Sequence, residues 1–161
     1  MRAFISYSLN NSEEYIITIL SRVLNTKGYI ISSSYYSHQH GVGSNQLQLT
    51  KSNLFIGIVT VKGNENERVI ADWRQANKNK IPALLLVENR VKLSESLKRN
   101  ANVLTFNRLN PELAINVIKN KITSASQKQQ ILKETANDNT AAWIFGGLAA
   151  LALIGLLSED K

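Results

Sequence analysis

The chain has 161 residues, no cysteine and two histidines, so it offers neither a disulfide framework nor a thiolate metal site, and no metal is expected. Its formal charge is +7, but the Lys and Arg residues are scattered along the sequence, so nucleic acid is not an expected partner. The length fits one domain of ordinary size with a short appendage.

Two hydrophobic periods alternate over the first 122 residues. Apolar runs predict five strands, at residues 3–7, 29–31, 54–60, 82–87 and 103–106. Apolar stripes predict three helices between and after them, one capped by Asn11, one over 68–79 and one opening at Asn110. Gly28 stands where the first helix should end. This alternation predicts an α/β domain with a flavodoxin-like, five-stranded parallel sheet covered by helices on both faces.

The segment after the second predicted strand, residues 32–46, shows no regular period. It is polar and contains Tyr36, Gly41 and Gly43. A loop of this length in a compact domain is usually functional or disordered. It follows a strand at the carboxyl edge, where ligands of open parallel sheets bind. Gly41 and Gly43 are also ordinary turn residues, and that interpretation stays open.

The end of the chain differs in kind from the rest. Residues 141–157 are free of charge and read AAWIFGGLAALALIGLL, which predicts a transmembrane helix with a small-residue face at Gly146 and Ala150. Residues 123–140 form a polar linker or helical extension, and residues 158–161 form a tail. Lysines before the apolar segment predict a single-pass C-terminal anchor with the main domain in the cytoplasm. A buried C-terminal helix in an oligomer is the alternative.

Several segments resemble Toll/interleukin-receptor (TIR) domains when taken in order. They are FISYS at 4–8, the Tyr- and Gly-containing loop, SNLFIGIVT at 52–60, VIADWRQA at 69–76 and IPALLLVE at 81–88. The resemblance covers residues 1–122. It implies a flavodoxin-like fold and either cleavage of the nicotinamide–ribose bond of NAD+ or self-association.

The resemblance also assigns site residues. The family's catalytic glutamate falls on Asp72, whose side chain is one methylene shorter. Tyr7, Ser8 and Tyr36 are the expected substrate-binding residues, and Gly41 and Gly43 are expected to shape the loop that gates the pocket. The alternative for Asp72 is a solvated charge on a helix, paired with Arg68 or Arg74. Glu65 and Glu67, in the loop just before, could substitute as the carboxylate if that loop folds inward.

The resulting expectation is a membrane-anchored bacterial TIR-domain protein of antiphage type that processes NAD+, as substrate rather than cofactor, when it oligomerises. Its partners would be further copies of itself, through the TIR domain and the membrane helix, and membrane lipid. One alternative is a non-enzymatic membrane scaffold or adaptor. Another is a membrane effector that responds to a nucleotide signal.

Overall fold

A computed structural model describes residues 1–8, 14–34 and 43–120, without the side chains of 43–45. The strands are β1 (Arg2–Tyr7), β2 (Ile30–Ser33), β3 (Leu54–Val59), β4 (Ala83–Glu88) and β5 (Val103–Phe106). The helices are α1 (Glu14–Thr26), α2 (Gly43–Thr50), α3 (Asn66–Lys78), α4 (Glu95–Lys98) and α5, which covers residues 112–120.

The five strands form one sheet in the order β2-β1-β3-β4-β5, and every neighbouring pair is parallel. This arrangement confirms the predicted flavodoxin-like, five-stranded parallel sheet. All residues of β3 and β4 are buried, which explains why these strands read as unbroken apolar runs. Strand β2 lies on one side of β1, and β3 to β5 follow on the other side. The switch in strand order therefore lies between β1 and β3.

Each face of the sheet carries its own hydrophobic core. On one face, α1 and α5 pack over odd-numbered β1 residues such as Ala3 and Ile5. On the other face, α2, α3 and α4 pack over Phe4 and its neighbours, with Val69 and Trp73 as the main contacts from α3. Because strand residues alternate between faces, every side chain of β1 belongs to one of these two environments.

Gly57 in β3 lets α3 lie close to the sheet. A Cβ atom at this position would come within 2.8 Å of Leu85 Cδ1 and 3.1 Å of Val69 Cγ1. Gly57 is the register partner of Ser6 in β1. The missing side chain therefore brings α3 down onto the part of the sheet where Ser6 lies.

Helix α1 ends as its sequence predicts. Gly28 has a φ of +78°, the left-handed conformation that favours glycine after a helix. The amide of Gly28 donates to the carbonyl of Asn25, and that of Tyr29 donates to the carbonyl of Leu24. The predicted cap at Asn11 lies outside the described residues.

Two helices depart from the sequence prediction. Helix α2 begins inside residues 32–46, which were expected to be irregular throughout. Only Leu49 of this helix is buried among the residues whose burial is described, so its sequence carries almost no apolar period. Helix α4 spans only Glu95–Lys98, too short to leave a periodic signal, and Leu97 fixes it to the core.

The predicted linker, apolar segment and tail at 123–140, 141–157 and 158–161 lie outside the described residues. Within the part of the chain that the structure describes, no helix has both the length and the apolar character needed to cross a bilayer.

Candidate functional site

The carboxyl ends of β1, β3 and β4 bring polar side chains to one edge of the sheet. Ser6 and Ser8 belong to or follow β1, Thr60 follows β3, and Glu88 ends β4. All four residues are buried. Buried polar groups require hydrogen-bond partners, and here the partners belong to α3 and to the loop between β3 and α3.

Asp72 lies on α3 and is bonded to the sheet. The Ser6 hydroxyl donates to Asp72 Oδ2 at 2.7 Å, and Arg68 Nη1 donates to the same oxygen at 3.1 Å. The Asp72 side chain is 21% exposed. Its Oδ1 accepts no hydrogen bond from any described residue, so one carboxylate oxygen is fixed and the other has no hydrogen bond within the described chain.

Arg68 connects this carboxylate to β1 and to the start of α3. Its Nη2 donates to the carbonyl oxygen of Tyr7 at 2.6 Å, and its Nε donates to Glu65 Oε1 at 3.2 Å. The guanidinium therefore lies between two carboxylates, Glu65 and Asp72, and also contacts Ser6 Oγ at 3.2 Å. The three charged side chains together carry one net negative charge, which favours a cationic group nearby.

The loop between β3 and α3 is held by side chains rather than by backbone pairing alone. The Glu65 amide donates to Ser8 Oγ at 3.1 Å, and the Asn66 side chain donates to the Thr60 carbonyl at 2.7 Å. A Cβ atom at Gly63 would overlap Asn66 Oδ1 and lie 2.7 Å from Ser8 Oγ. A larger residue at this position would require the Asn66 and Ser8 side chains to shift. The loop places Glu65 above the end of β1.

Glu88 fixes the other side of the same loop. Its Oε2 accepts the Val61 amide at 2.9 Å and lies 3.5 Å from Arg108 Nη1. The Glu88 side chain is 4% exposed and that of Arg108 is 29% exposed. A buried carboxylate needs such partners, since leaving it unpaired is costly.

The structure separates some of the residues that the sequence grouped together. Tyr7 packs against the core on the α1 face, whereas Ser6 and Asp72 meet on the α3 face. The hydroxyl of Ser8 is buried and engaged with the Glu65 amide. Gly43 begins α2. Tyr36 and Gly41 lie outside the described residues.

Sequence reasoning missed Ser6 as a partner of Asp72, and it missed Glu88. A signal existed for both, because each is a polar residue within an otherwise apolar strand that is buried on both faces. A buried polar side chain needs a hydrogen-bonding or ionic partner, and the nearest sheet edge is where such a partner is expected. The Arg68–Asp72 pair was foreseen as the alternative interpretation of Asp72, and it is present.

No group of Asp, Glu or His side chains within residues 1–8, 14–34 and 43–120 is arranged to hold a metal ion. In the same part of the chain, the Trp73 indole nitrogen is buried without a hydrogen-bond acceptor. The ring itself packs in the core on the α3 face, as expected for a structural tryptophan.

No family model matches the sequence, and no curated protein matches it either. Among solved structures, the chain is similar to a 2-deoxyribosyltransferase from the psychrotolerant bacterium Bacillus psychrosaccharolyticus. The TM-score is 0.52 and the identity 12%, over 66% of this chain and 86% of that chain. That enzyme is described as a biocatalyst for the synthesis of antiviral and antitumoral nucleosides. At this identity the similarity concerns the fold.

Proposed function

We propose that this chain is a TIR-like enzyme that cleaves the bond between nicotinamide and ribose in NAD+, with Asp72 as the catalytic carboxylate. The observation that carries the proposal is the Asp72 side chain, which is fixed by Ser6 and Arg68 through Oδ2 while Oδ1 accepts no hydrogen bond from any described residue. It lies beside the carboxyl end of β1, next to the switch in strand order. Open parallel sheets bind their ligands at this place.

The charge balance of the site suits this reaction. When the C1′–N bond breaks, nicotinamide leaves with the bonding electrons and positive charge develops on the ribose, before water adds to C1′ and loses a proton. A carboxylate held in position stabilises that charge without having to reorganise. The positive charge of Arg68 weakens this stabilisation, but Glu65 on the other side of the guanidinium gives the three side chains a net negative charge.

The length of the Asp72 side chain is compensated in part by the position of α3. An aspartate reaches less far than the glutamate that the TIR resemblance places here, by roughly 1.5 Å, and misplacement of about 1 Å can reduce a rate 100-fold. Gly57 allows α3 to approach the sheet closely. The backbone that carries Asp72 is thereby brought nearer to the end of β1.

The name of the structural neighbour describes the transfer of deoxyribosyl groups, and making a nucleoside joins C1′ of a sugar to a base nitrogen. Cleavage of NAD+ breaks a bond of the same kind, but the similarity concerns the fold, so the proposed reaction class rests on Asp72. We place the substrate among N-ribosyl compounds, with NAD+ first.

The proposed setting follows from the rest of the chain. Residues 141–157 would anchor the protein in the membrane as a single-pass C-terminal helix, with the catalytic domain in the cytoplasm. Self-association of the domains and anchors would complete the site, and consumption of NAD+ would arrest an infected cell. The protein would thus act in antiphage defence.

A second candidate function is non-catalytic. The protein would then act as a membrane scaffold through self-association, or as a membrane effector that responds to a nucleotide signal. The Arg68–Asp72 pair favours it, because an ion pair of this kind also serves to hold a helix on a sheet. In that case the anchor and the domain surface would carry the function.

The test is NAD+ consumption by the full chain at high density in vesicles, compared with Asp72→Asn and with Glu95→Gln as control. Asn keeps the shape of the side chain and removes its charge, and Glu95 lies in a solvent-exposed pair with Lys98. We expect Asp72→Asn to lose about 100-fold or more in rate and Glu95→Gln to match the parent. Absence of NAD+ consumption by the parent protein would exclude the enzyme and favour the scaffold.

A further inference from the structure

Six of the basic side chains that look scattered in the sequence lie on one edge of the sheet. All strands are parallel, so every segment that enters a strand lies at the same edge, opposite the candidate site. Each of these segments, or the residue next to it, carries a Lys or Arg. We call this set the basic amino edge; it consists of Arg2, Lys27, Lys51, Lys78, Lys80 and Arg99.

These side chains are unneutralised. All of them are exposed except Lys27, which is half-buried. None forms an ion pair with any residue of the described ranges. The segments that enter β2 to β5, at 27–29, 51–53, 79–82 and 99–102, contain no Asp or Glu. These segments therefore carry positive charge only, and the acidic residue nearest to Arg99 in sequence is Glu95, which is paired with Lys98.

One of these cations, Lys80, has a backbone conformation that is unfavourable for lysine. Lys80 has a φ of +57° and lies just after α3, where glycine or asparagine is usual. A side chain in the left-handed region is disfavoured there. The chain nevertheless places a charge at this point of the amino edge.

The carboxyl edge is different, because its cations are mixed with acidic side chains. Arg68 is paired with Glu65 and Asp72, and Arg108 with Glu88. Glu14 and Glu112 begin the helices that follow β1 and β5. Arg90 and Lys92 follow β4 at this edge, so its described residues carry both signs of charge, whereas the segments that enter the strands carry positive charge alone.

The described chain leaves the domain toward the same edge. Helix α5 follows β5 and covers residues 112–120, about 13 Å of helix, with Ile115 and Ile118 packed on the sheet. Starting at the carboxyl edge, it runs back toward the amino edge. The polar residues 123–140 come next in sequence, and then the apolar segment 141–157.

A polar stretch of this length does not by itself orient the domain. Residues 123–140 would reach about 25 Å either as a helix or as a flexible chain, which is comparable to the size of the domain. With the apolar segment in a bilayer, either edge of the sheet could then face the lipid. The charge distribution of the domain favours one of these two orientations.

We propose that the basic amino edge lies on an anionic membrane surface and turns the candidate site away from the bilayer. The proposal rests on the membrane attachment in the proposed function, but not on catalysis. Anionic headgroups attract each nearby Lys or Arg and change binding by about fivefold per residue, within about one Debye length. A single-stranded nucleic acid fits less well, because it needs aromatic platforms. The aromatic residue in the segments that enter β2 to β5 is Tyr29, which is buried.

The test uses the full chain with one fluorophore per molecule. Because the chain has no cysteine, Asn25→Cys labels the amino edge and Asn89→Cys the carboxyl edge, each uniquely. These edges are about 20 Å apart, from six-residue strands with a rise of about 3.3 Å per residue. Energy transfer to a headgroup-labelled lipid then reports which edge is nearer the bilayer, in neutral phosphatidylcholine vesicles and in vesicles that also contain phosphatidylserine.

On anionic vesicles we expect stronger transfer from position 25 than from position 89. The difference should shrink on neutral vesicles, at high salt and in Lys51→Glu/Lys78→Glu. It should persist in the charge-matched control Arg90→Glu/Lys92→Glu, which changes the carboxyl edge.

Equal transfer from both positions on anionic vesicles would overturn the orientation while leaving the anchor in place. Lack of attachment to any vesicle would overturn the orientation together with the membrane attachment, and the NAD+ assay in detergent would still test the catalytic proposal separately. Tight binding of single-stranded RNA that Lys51→Glu/Lys78→Glu abolishes, with no lipid preference, would assign the surface to nucleic acid instead.

Discussion

The two edges of the sheet are built on different plans. At the carboxyl edge, side chains hold the loop between β3 and α3 through Ser8, Asn66 and Glu88. At the amino edge, short backbone hydrogen bonds close the turns, such as Ser52 to Leu49. The first plan buries polar groups to fix a carboxylate, and the second leaves its charged side chains in solvent. Among the described residues, Ser52 is a buried polar residue at the amino edge, whereas Ser6, Ser8, Thr60 and Glu88 are buried at the carboxyl edge. This bias indicates where precise positioning matters.

Glu88→Ala should have the largest effect on stability at the carboxyl edge. It leaves the Val61 amide and Arg108 without their buried partner, so we expect the free energy of unfolding to fall by about 2–3 kcal/mol. Chemical denaturation measures it. Glu95→Ala, in an exposed pair with Lys98, should change stability by less than about 0.5 kcal/mol. Equal effects of the two variants would mean that Glu88 does not hold the loop.

The glycines of the two edges differ in what a methyl group would meet. Gly63→Ala places a methyl group against Asn66 and Ser8, and we expect a loss of about 1–3 kcal/mol from overpacking. Asn66→Ala in the same chain should recover part of that loss, since it removes the nearest atoms; the double-mutant cycle measures this coupling. An additive result would contradict the crowding.

Gly28→Ala tests the amino edge by backbone conformation alone. A methyl group at Gly28 meets nothing within 4 Å, but the φ of +78° disfavours alanine by about 1 kcal/mol. Unfolding of this variant should therefore show a smaller loss than Gly63→Ala. A loss larger than that of Gly63→Ala would reverse the ranking of the two edges.

The smallest effect is expected at alkaline pH, from Tyr29 at the amino edge. Burial raises the pKa of the Tyr29 phenol above its usual value. The unfolded chain then releases the proton at about pH 10, before the folded chain does, so stability is constant below about pH 9 and falls as pH rises through the folded pKa.

Measurements of the free energy of unfolding between about pH 8 and about pH 11 test this dependence. Tyr29→Phe should reduce the alkaline loss, whereas Tyr15→Phe, at an exposed position, should keep it. An unchanged alkaline slope in Tyr29→Phe would show that the phenol is not the group responsible.

The sheet could be predicted from the sequence because β3 and β4 are buried on both faces and read as unbroken apolar runs. Helix α3 could be predicted from the spacing of Val69, Trp73 and Ala76. Helix α2 could not, since Leu49 is its single buried residue of described burial. A helix without an apolar stripe leaves no period to detect.

The candidate site could be predicted only in part. The sequence placed Asp72 on a helix after the third strand, but its bond to Ser6 joins residues 66 positions apart and depends on how closely Gly57 lets α3 approach. The side of the sheet that Tyr7 faces follows from strand alternation, once the strand register is known. The basic amino edge also had a signal, since a Lys or Arg stands near the start of each predicted strand.

The most direct test of the account is the rate of nicotinamide release from NAD+ by the full chain, parent against Asp72→Asn, with the unfolding of both proteins measured in parallel. We predict a loss of about 100-fold or more in rate with little change in stability, because Asn keeps an acceptor for the Ser6 hydroxyl. An equal rate in Asp72→Asn would contradict the assignment of Asp72. A lower stability with an unchanged rate per folded molecule would leave Asp72 as a residue that only holds α3 on the sheet.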